Sequence, residues 1–190
     1  MERRELLKHG ATGIAGLGTG YALVEQTTDT AEAGISMGSL SISDASKTTD
    51  DGQISDVIAD VSGRWDYDIP GGNSPNDWMV SVSVTDGDTV DEIGTDSGEA
   101  KYLDGSGDWS VKASLTDSSV YDVSDFESPE SGKVKKVTVG FVVVFSVAGD
   151  EKVLARAQLE DTATVSVTNK AYDASKHGEA GGSGDLTIQT

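Results

Sequence analysis

Pairs of carboxylates set beside glycines are the residues of this 190-residue chain best suited to chemistry. They fall in three short segments that we interpret as loops. Calcium takes several oxygen ligands from a tight loop, and glycine permits the sharp backbone path that such a loop needs. None of the segments has the twelve-residue EF-hand pattern, and Asp and Gly also form turns without an ion. Calcium is therefore a candidate cofactor, with the ligands Asp86, Asp88, Asp96, Glu99, Asp104 and Asp108.

Other catalytic or metal-binding chemistry has few side chains available. The chain has no cysteine and only two histidines, His9 and His177. Nucleophilic catalysis and a zinc site therefore lack their usual residues. A carboxylate pair could still act as in glycosidases, but 33 acidic residues spread along the chain make any such pair uninformative. We expect a protein that is not an enzyme, and a carboxylate-only hydrolase is the least favoured alternative.

Four aromatic residues admit two interpretations. Trp65, Tyr67, Trp78 and Trp109 could form a platform on which sugar rings stack. Each also occupies an inward position of a predicted strand, where its bulk would fill a core otherwise made of Val, Ala and Ser. We favour the core, and carbohydrate binding stays as an alternative.

The charge of the chain is strongly negative and dispersed. The 33 acidic residues outnumber 14 Lys and Arg, which gives a formal net charge of −19. Self-repulsion of such a surface is screened to within about 3 Å at molar ionic strength. In this respect the chain resembles the proteins of halophilic archaea. Lysines 133, 135 and 136 form the one basic patch of the sequence, so we expect no binding to nucleic acid.

The first 33 residues have the three regions of an export signal. Arg3, Arg4, Leu7 and Lys8 resemble the twin-arginine export motif, although Glu2 stands where that motif has a small hydroxyl residue. A glycine-rich, mildly apolar run follows at residues 11–24. The small residues Ala31 and Ala33 then form an A-x-A cleavage pattern.

This resemblance implies export of a folded protein, and we expect a secreted chain at the extracellular cell surface. Residues 11–24 are too few to span a bilayer comfortably, so we expect no transmembrane anchor in the mature chain. A retained anchor or a retained amphipathic helix are the alternatives.

The longest regular pattern lies between Lys133 and Asn169 and predicts a long antiparallel hairpin. Apolar residues occupy every odd position from 137 to 147 and, after a turn at Gly149–Asp150, most odd positions from 153 to 167. That period of two is typical of strands. Val142 and Val144 indicate that both faces are covered there. Asp161 interrupts the alternation, so we expect a bulge or break at which one strand bends to serve both sheets.

The remaining chain predicts shorter strands separated by turns. Strands are expected over 34–43, 58–68, 77–85, 108–115 and 185–189, and the first of these is either one strand with a bulge at Ser39 or two short strands. Residues 44–51 are expected to form a polar loop, and residues 89–100 are acidic and low in order signals. Residues 117–126 are ambiguous and could hold a short helix capped by Ser118 or Ser119. The prediction is an all-β fold, a two-sheet antiparallel sandwich of immunoglobulin-like or jelly-roll type with about eight strands and little helix apart from the leader. The expected divisions are a leader at 1–33, the sandwich at 34–176, and a flexible connector with a possible last strand at 177–190.

The two ends of the sandwich carry short apolar strands that could pair with a neighbouring copy. The N-terminal candidate comprises Ile35, Met37, Leu40 and Ile42. This layout is similar to exported TasA/camelysin-like filament subunits. The resemblance implies a non-enzymatic structural protein that self-assembles through an end strand into a filament, pilus or envelope layer of a halophile. The alternative is a monomeric secreted module that binds calcium or carbohydrate.

Overall fold

The structure, a computed structural model, describes residues 33–150, 152–171 and 186–189. Within them nearly all regular structure is strand, which confirms the predicted all-β class. The strands are β1 (Gly34–Met37), β2 (Ala45–Thr49), β3 (Asp56–Asp68), β4 (Pro75–Asp86), β5 (Thr89–Glu99), β6 (Asp104–Ser114), β7 (Val134–Gly149), β8 (Val153–Asn169) and β9 (Leu186–Gln189), and the helix is α1 (Val123–Phe126).

These strands form two sheets around one hydrophobic core. In the smaller sheet, β3 pairs with β6 on one side and with both β1 and β9 on the other. The larger sheet has the order β2-β8-β7-β4-β5 and is curled into a half-barrel. Its β2–β8 pair is parallel, so the prediction of a wholly antiparallel fold is wrong there. The chain reaches β2 by crossing over from β1 in the smaller sheet, and no tight hairpin joins β2 to β8, so the antiparallel direction is not imposed.

The long central hairpin is confirmed. β7 and β8 pair from Val134↔Thr168 to Ala148↔Val153, and β7 lies in the middle of the larger sheet. Its odd-numbered side chains from Val139 to Val147 enter the core. Val142 and Val144 are also buried, 7% and 8% exposed, although they lie outside the core cluster. Both faces of the strand are therefore covered at this point, as the sequence predicts.

The predicted break at Asp161 is wrong. Asp161 lies opposite Phe141 in a continuous register, and both strands remain in the larger sheet along their whole length. The carboxylate of Asp161 accepts a hydrogen bond of 2.7 Å from the backbone N–H of Ile42, 119 residues away. This partner from a remote segment satisfies the acid, so the strand continues through it.

Three segments depart from their predicted structure. Residues 89–99 form the edge strand β5, and residues 45–49 form the edge strand β2, although neither was predicted as a strand. Pairing with β4 and β8 supplies the order that local sequence lacks. The predicted strand over 34–43 ends at Met37, and residues 38–44 then cross from the smaller sheet to the larger one.

The short helix lies within the ambiguous segment. Its N-cap is Asp122, and not Ser118 or Ser119, because Asp122 and Asp125 form a reciprocal capping box. The helix places Phe126 beside Tyr121 in the core, with ring centroids 5.4 Å apart. The Tyr121 hydroxyl donates to the carbonyl of Thr85 at 2.9 Å. The short helix and the residues just before it thus cover this corner of the core, and no strand of the described chain does so.

An aromatic cluster joins the two sheets at the opposite corner. Trp65 of β3 lies against Tyr67 on its own strand, and its centroid is 5.2 Å from Phe145 of β7 and 5.0 Å from Trp78 of β4. Phe145 is fully buried. These contacts fix which ends of the two sheets lie together.

Candidate functional site

The first pair of candidate calcium ligands lies in a turn, as predicted. Asp86 ends β4, and the chain turns through Gly87, whose φ of +61° is accessible to glycine at little cost, before β5 begins. Asp86 and Asp88 are both exposed. Burial, together with the charge of Asp86, raises the pKa of Tyr121 to about 12.

The second pair does not lie in a loop, because Asp96 and Glu99 belong to β5. The carboxylate of Asp96 accepts a 3.0 Å hydrogen bond from the N–H of Ser110 on β6, which links the edges of the two sheets. Glu99 forms an exposed ion pair with Lys101. The hydrogen bond and charge of Lys101 hold the pKa of Glu99 below its ordinary value. The loop prediction failed because the chain extends beside β4 and does not turn at Gly98.

The third pair, Asp104 and Asp108, also lies in a strand and not in a loop. Asp108 is 3.3 Å from the Arg64 guanidinium, and Asp104 lies opposite Asp68 of β3. Among the residues that the structure describes, no three His, Cys, Asp or Glu side chains come together as metal ligands would.

The glycines between these carboxylates of β5 and β6, and Gly63 of β3, make room for aromatic rings. Cross-strand partners are Gly63 and Trp109, Gly98 and Trp78, Gly105 and Tyr67, and Gly107 and Trp65. A Cβ atom at any of the four glycines would come within 2.8–2.9 Å of the partner ring. Each ring therefore lies across the strand over a residue without a side chain. Gly105 and Gly107 alternate with polar residues at the period of two that is typical of a strand. The sequence prediction missed this pattern because Asp and Gly also form turns.

Three of the four candidate sugar-stacking rings lie in the core: Trp65, Tyr67 and Trp109 are 7%, 5% and 4% exposed. The Nε1 atoms of both tryptophans are buried without a hydrogen-bond partner. Burial raises the pKa of Tyr67, with a smaller contribution from the charge of Asp104. Trp78 alone of the four is partly exposed.

A shallow groove of about 240 Å³ opens beside Trp78 on the larger sheet. Its lining residues are Asp77, Trp78, Met79, Ser97, Gly98, Glu99, Ser146 and Ala148. Trp78 alternates with Met79 along β4, so its ring lies on the core face, 5.0 Å from that of Trp65, and not among the polar side chains of the outer face. The groove therefore offers no indole ring on which a sugar could stack.

The predicted assembly strand lies where the two sheets meet. Met37 and Ile42 are buried in the core, and Ile35 and Leu40 are partly buried against it. Ala33 also packs against the core, and β1 begins at the next residue. The other residues of the predicted export and cleavage signals, Arg3, Arg4, Leu7, Lys8 and Ala31, lie outside the described residues.

No protein-family model matches the chain, and no curated protein matches it significantly. Among the described residues, no helix is long and apolar enough to cross a membrane.

Proposed function

We propose that the protein is a non-enzymatic structural subunit of a halophile's cell surface, exported by residues 1–33 and assembled into filaments. Its domain is then a β-sandwich of immunoglobulin-like or jelly-roll type with an end strand that can be exchanged between copies. The acidic composition and the twin-arginine-like leader support the export and the saline environment. The position of the N-terminal segment supports the assembly.

The observation that carries the proposal is the way in which residues 33–42 are held. Their apolar side chains enter the core, yet strand pairing of this segment is confined to the four residues of β1. Residues 33–42 can make the same side-chain and backbone contacts with β3 and the core of a second copy, because exchange of an identical element between copies preserves every contact. A segment with a large apolar contact and little pairing is well suited to such exchange.

A cysteine pair placed across β1 and β3 tests the exchange directly. Ser36 and Asp66 lie opposite each other and are exposed, and the natural chain has no cysteine. Directly opposed Cα atoms in antiparallel strands are about 4.5–5.5 Å apart, within disulfide range. We expect Ser36→Cys with Asp66→Cys to yield, after assembly in molar salt and oxidation, a ladder of covalent multimers on a non-reducing gel. Reduction should return the ladder to monomer.

The matched control is Ser62→Cys with Ser110→Cys, which links β3 to β6 inside one chain. We expect this pair to give only monomer under the same oxidation. If the Ser36 and Asp66 pair also gave only monomer from assembled protein, β1 would stay in its own chain and the exchange would be wrong. Absence of filaments or large oligomers of the natural chain by electron microscopy would contradict the assembly itself.

A further inference from the structure

Five lysines gather at one corner of a chain that is otherwise acidic. Lys47 on β2 and Lys135 on β7 lie on either side of Val167 of β8, in adjacent strands. Lys136 follows in β7, Lys133 immediately precedes that strand, and Lys170 immediately follows β8. Lys170 is partly exposed, and the other four are exposed. We call these residues, Lys47, Lys133, Lys135, Lys136 and Lys170, the lysine corner.

Acidic neighbours only partly neutralise this corner. Asp50 forms an ion pair of 3.6 Å with Lys170, and the carbonyl of Glu130 accepts the N–H of Lys133, which places that acid nearby. Asp51 follows Asp50 in the same loop. The lysines of β2 and β7 have no ion pair with a described residue at salt-bridge distance.

The opposite end of the molecule has the complementary charge, with one of its acids, Glu99, paired with Lys101. Asp77 of β4 lies opposite Glu99 of β5, and residues 100–103 then lead directly to Asp104, which lies opposite Asp68 of β3. Asp150, in the turn after β7, accepts a hydrogen bond from the Asn76 side chain beside Asp77. We call Asp68, Asp77, Glu99, Asp104 and Asp150 the acidic end.

These two surfaces lie at opposite ends of the longest strands. β7 starts at Val134 in the lysine corner and ends at Gly149 beside the acidic end. Its 16 residues span about 50 Å at roughly 3.3 Å per residue. The two surfaces therefore point in opposite directions along the long axis.

Each surface also carries exposed apolar side chains. Val134 is 50% exposed within the lysine corner, and Tyr102 and Leu103 are 74% and 37% exposed in the connection that leads to Asp104. An interface core needs apolar and aromatic contact as well as complementary charge. Of the four large apolar residues that are exposed in the described chain, three lie at these two ends.

We infer that the lysine corner of one copy docks on the acidic end of the next. Such a contact joins two different surfaces, so it is heterologous and, when it does not close into a ring, propagates as a filament. The inference names the docking surfaces for the self-assembly proposed above and rests on it. Attraction between the lysine corner and the acidic end favours head-to-tail docking of successive copies. Repulsion between like charges disfavours contacts of two lysine corners or of two acidic ends.

Reciprocal charge reversal tests this docking. The first variant is Lys135→Glu with Lys136→Glu, and the second is Asp68→Lys with Asp104→Lys. Each variant alone would place like charges across the contact, so we expect the concentration for half-maximal assembly to rise about tenfold or more. An equimolar mixture restores an opposite-charge contact at every junction, and we expect assembly near that of the natural chain. Sedimentation measures assembly, and circular dichroism in the same buffer checks that each variant is folded.

The matched control for the first variant is Arg64→Glu with Lys112→Glu, which changes the net charge equally on the exposed face of the smaller sheet. We expect this control to assemble as the natural chain does. Docking through these surfaces is wrong if the folded lysine variant assembles normally or if the folded mixture fails to recover. If the natural chain itself does not assemble in the same experiment, the proposed function fails, and the two failures are thereby distinguished.

Discussion

Replacement of Gly52 by alanine is expected to lower the free energy of unfolding by about 3–5 kcal/mol. Gly52 has a φ of +76°, and an added Cβ atom would fall on the carbonyl oxygen of Ser128. That contact is to backbone, so no flexible side chain can move away. Denaturant unfolding followed by circular dichroism, at one fixed salt concentration, measures the loss.

The size of this effect comes from the junction that Gly52 occupies. Its carbonyl accepts the N–H of Ser128 at 2.9 Å. The buried amide of Asn169 donates to the carbonyls of Ser128 and Asp51, at 2.8 and 2.9 Å. A displaced Ser128 would therefore disturb several buried hydrogen bonds at the end of β8, where unsatisfied groups cost about 1–3 kcal/mol each.

The control is Gly87→Ala in the turn between β4 and β5. Gly87 also has a positive φ, +61°, but an added Cβ there meets no atom within 4 Å. Its replacement should lower the free energy of unfolding by about 1–2 kcal/mol, because alanine tolerates a positive φ less well than glycine does. Equal losses for the two variants would show that the contact with Ser128 contributes nothing.

Periodicity predicted the parts of the fold that are ordered by their own sequence. The regular spacing of apolar residues in β7 and in the second half of β8 allowed the hairpin to be predicted without knowing which strands pair with it. β5 could not be found in this way, because Asp and Gly have low strand propensity and its order comes from pairing with β4. Ile93 is moreover an extra residue at a register shift opposite Val82 and Ser83, so the alternation in β5 changes face midway.

The carboxylates show why the candidate site was harder to predict than the fold. Asp96 and Asp161 accept backbone N–H groups of Ser110 and Ile42, which are 14 and 119 residues away. Local sequence gives the loop propensity of Asp and Gly, but not the remote donor that turns an acidic residue into part of a strand. In the same way, Gly105 and Gly107 resemble turn glycines until the rings of Tyr67 and Trp65 are placed over them.

Replacement of Phe145 by alanine is the second change with a large expected effect, about 4–5 kcal/mol. Phe145 is fully buried, and its ring centroid lies 5.2 Å from that of Trp65 and 6.5 Å from those of Tyr67 and Trp78. Because Trp65 and Tyr67 belong to the smaller sheet, the loss opens a cavity where the two sheets meet. Unfolding free energy and near-ultraviolet circular dichroism of the tryptophans measure it.

Phe141→Ala is the matched control, since Phe141 lies on the same face of the same strand and is 1% exposed. It has no ring contact with another aromatic residue of the described chain. Its replacement should lower the free energy of unfolding by about 3–4 kcal/mol, because apolar surface is lost from the core and a cavity remains. The near-ultraviolet circular dichroism of the tryptophans should be nearly unchanged. The excess at Phe145, about 1 kcal/mol or more, then measures the aromatic contacts between the sheets. If Phe145→Ala does not fold, Phe145→Leu against Phe141→Leu gives the same comparison, and equal losses there would mean that volume alone, and not ring contact, holds the two sheets together.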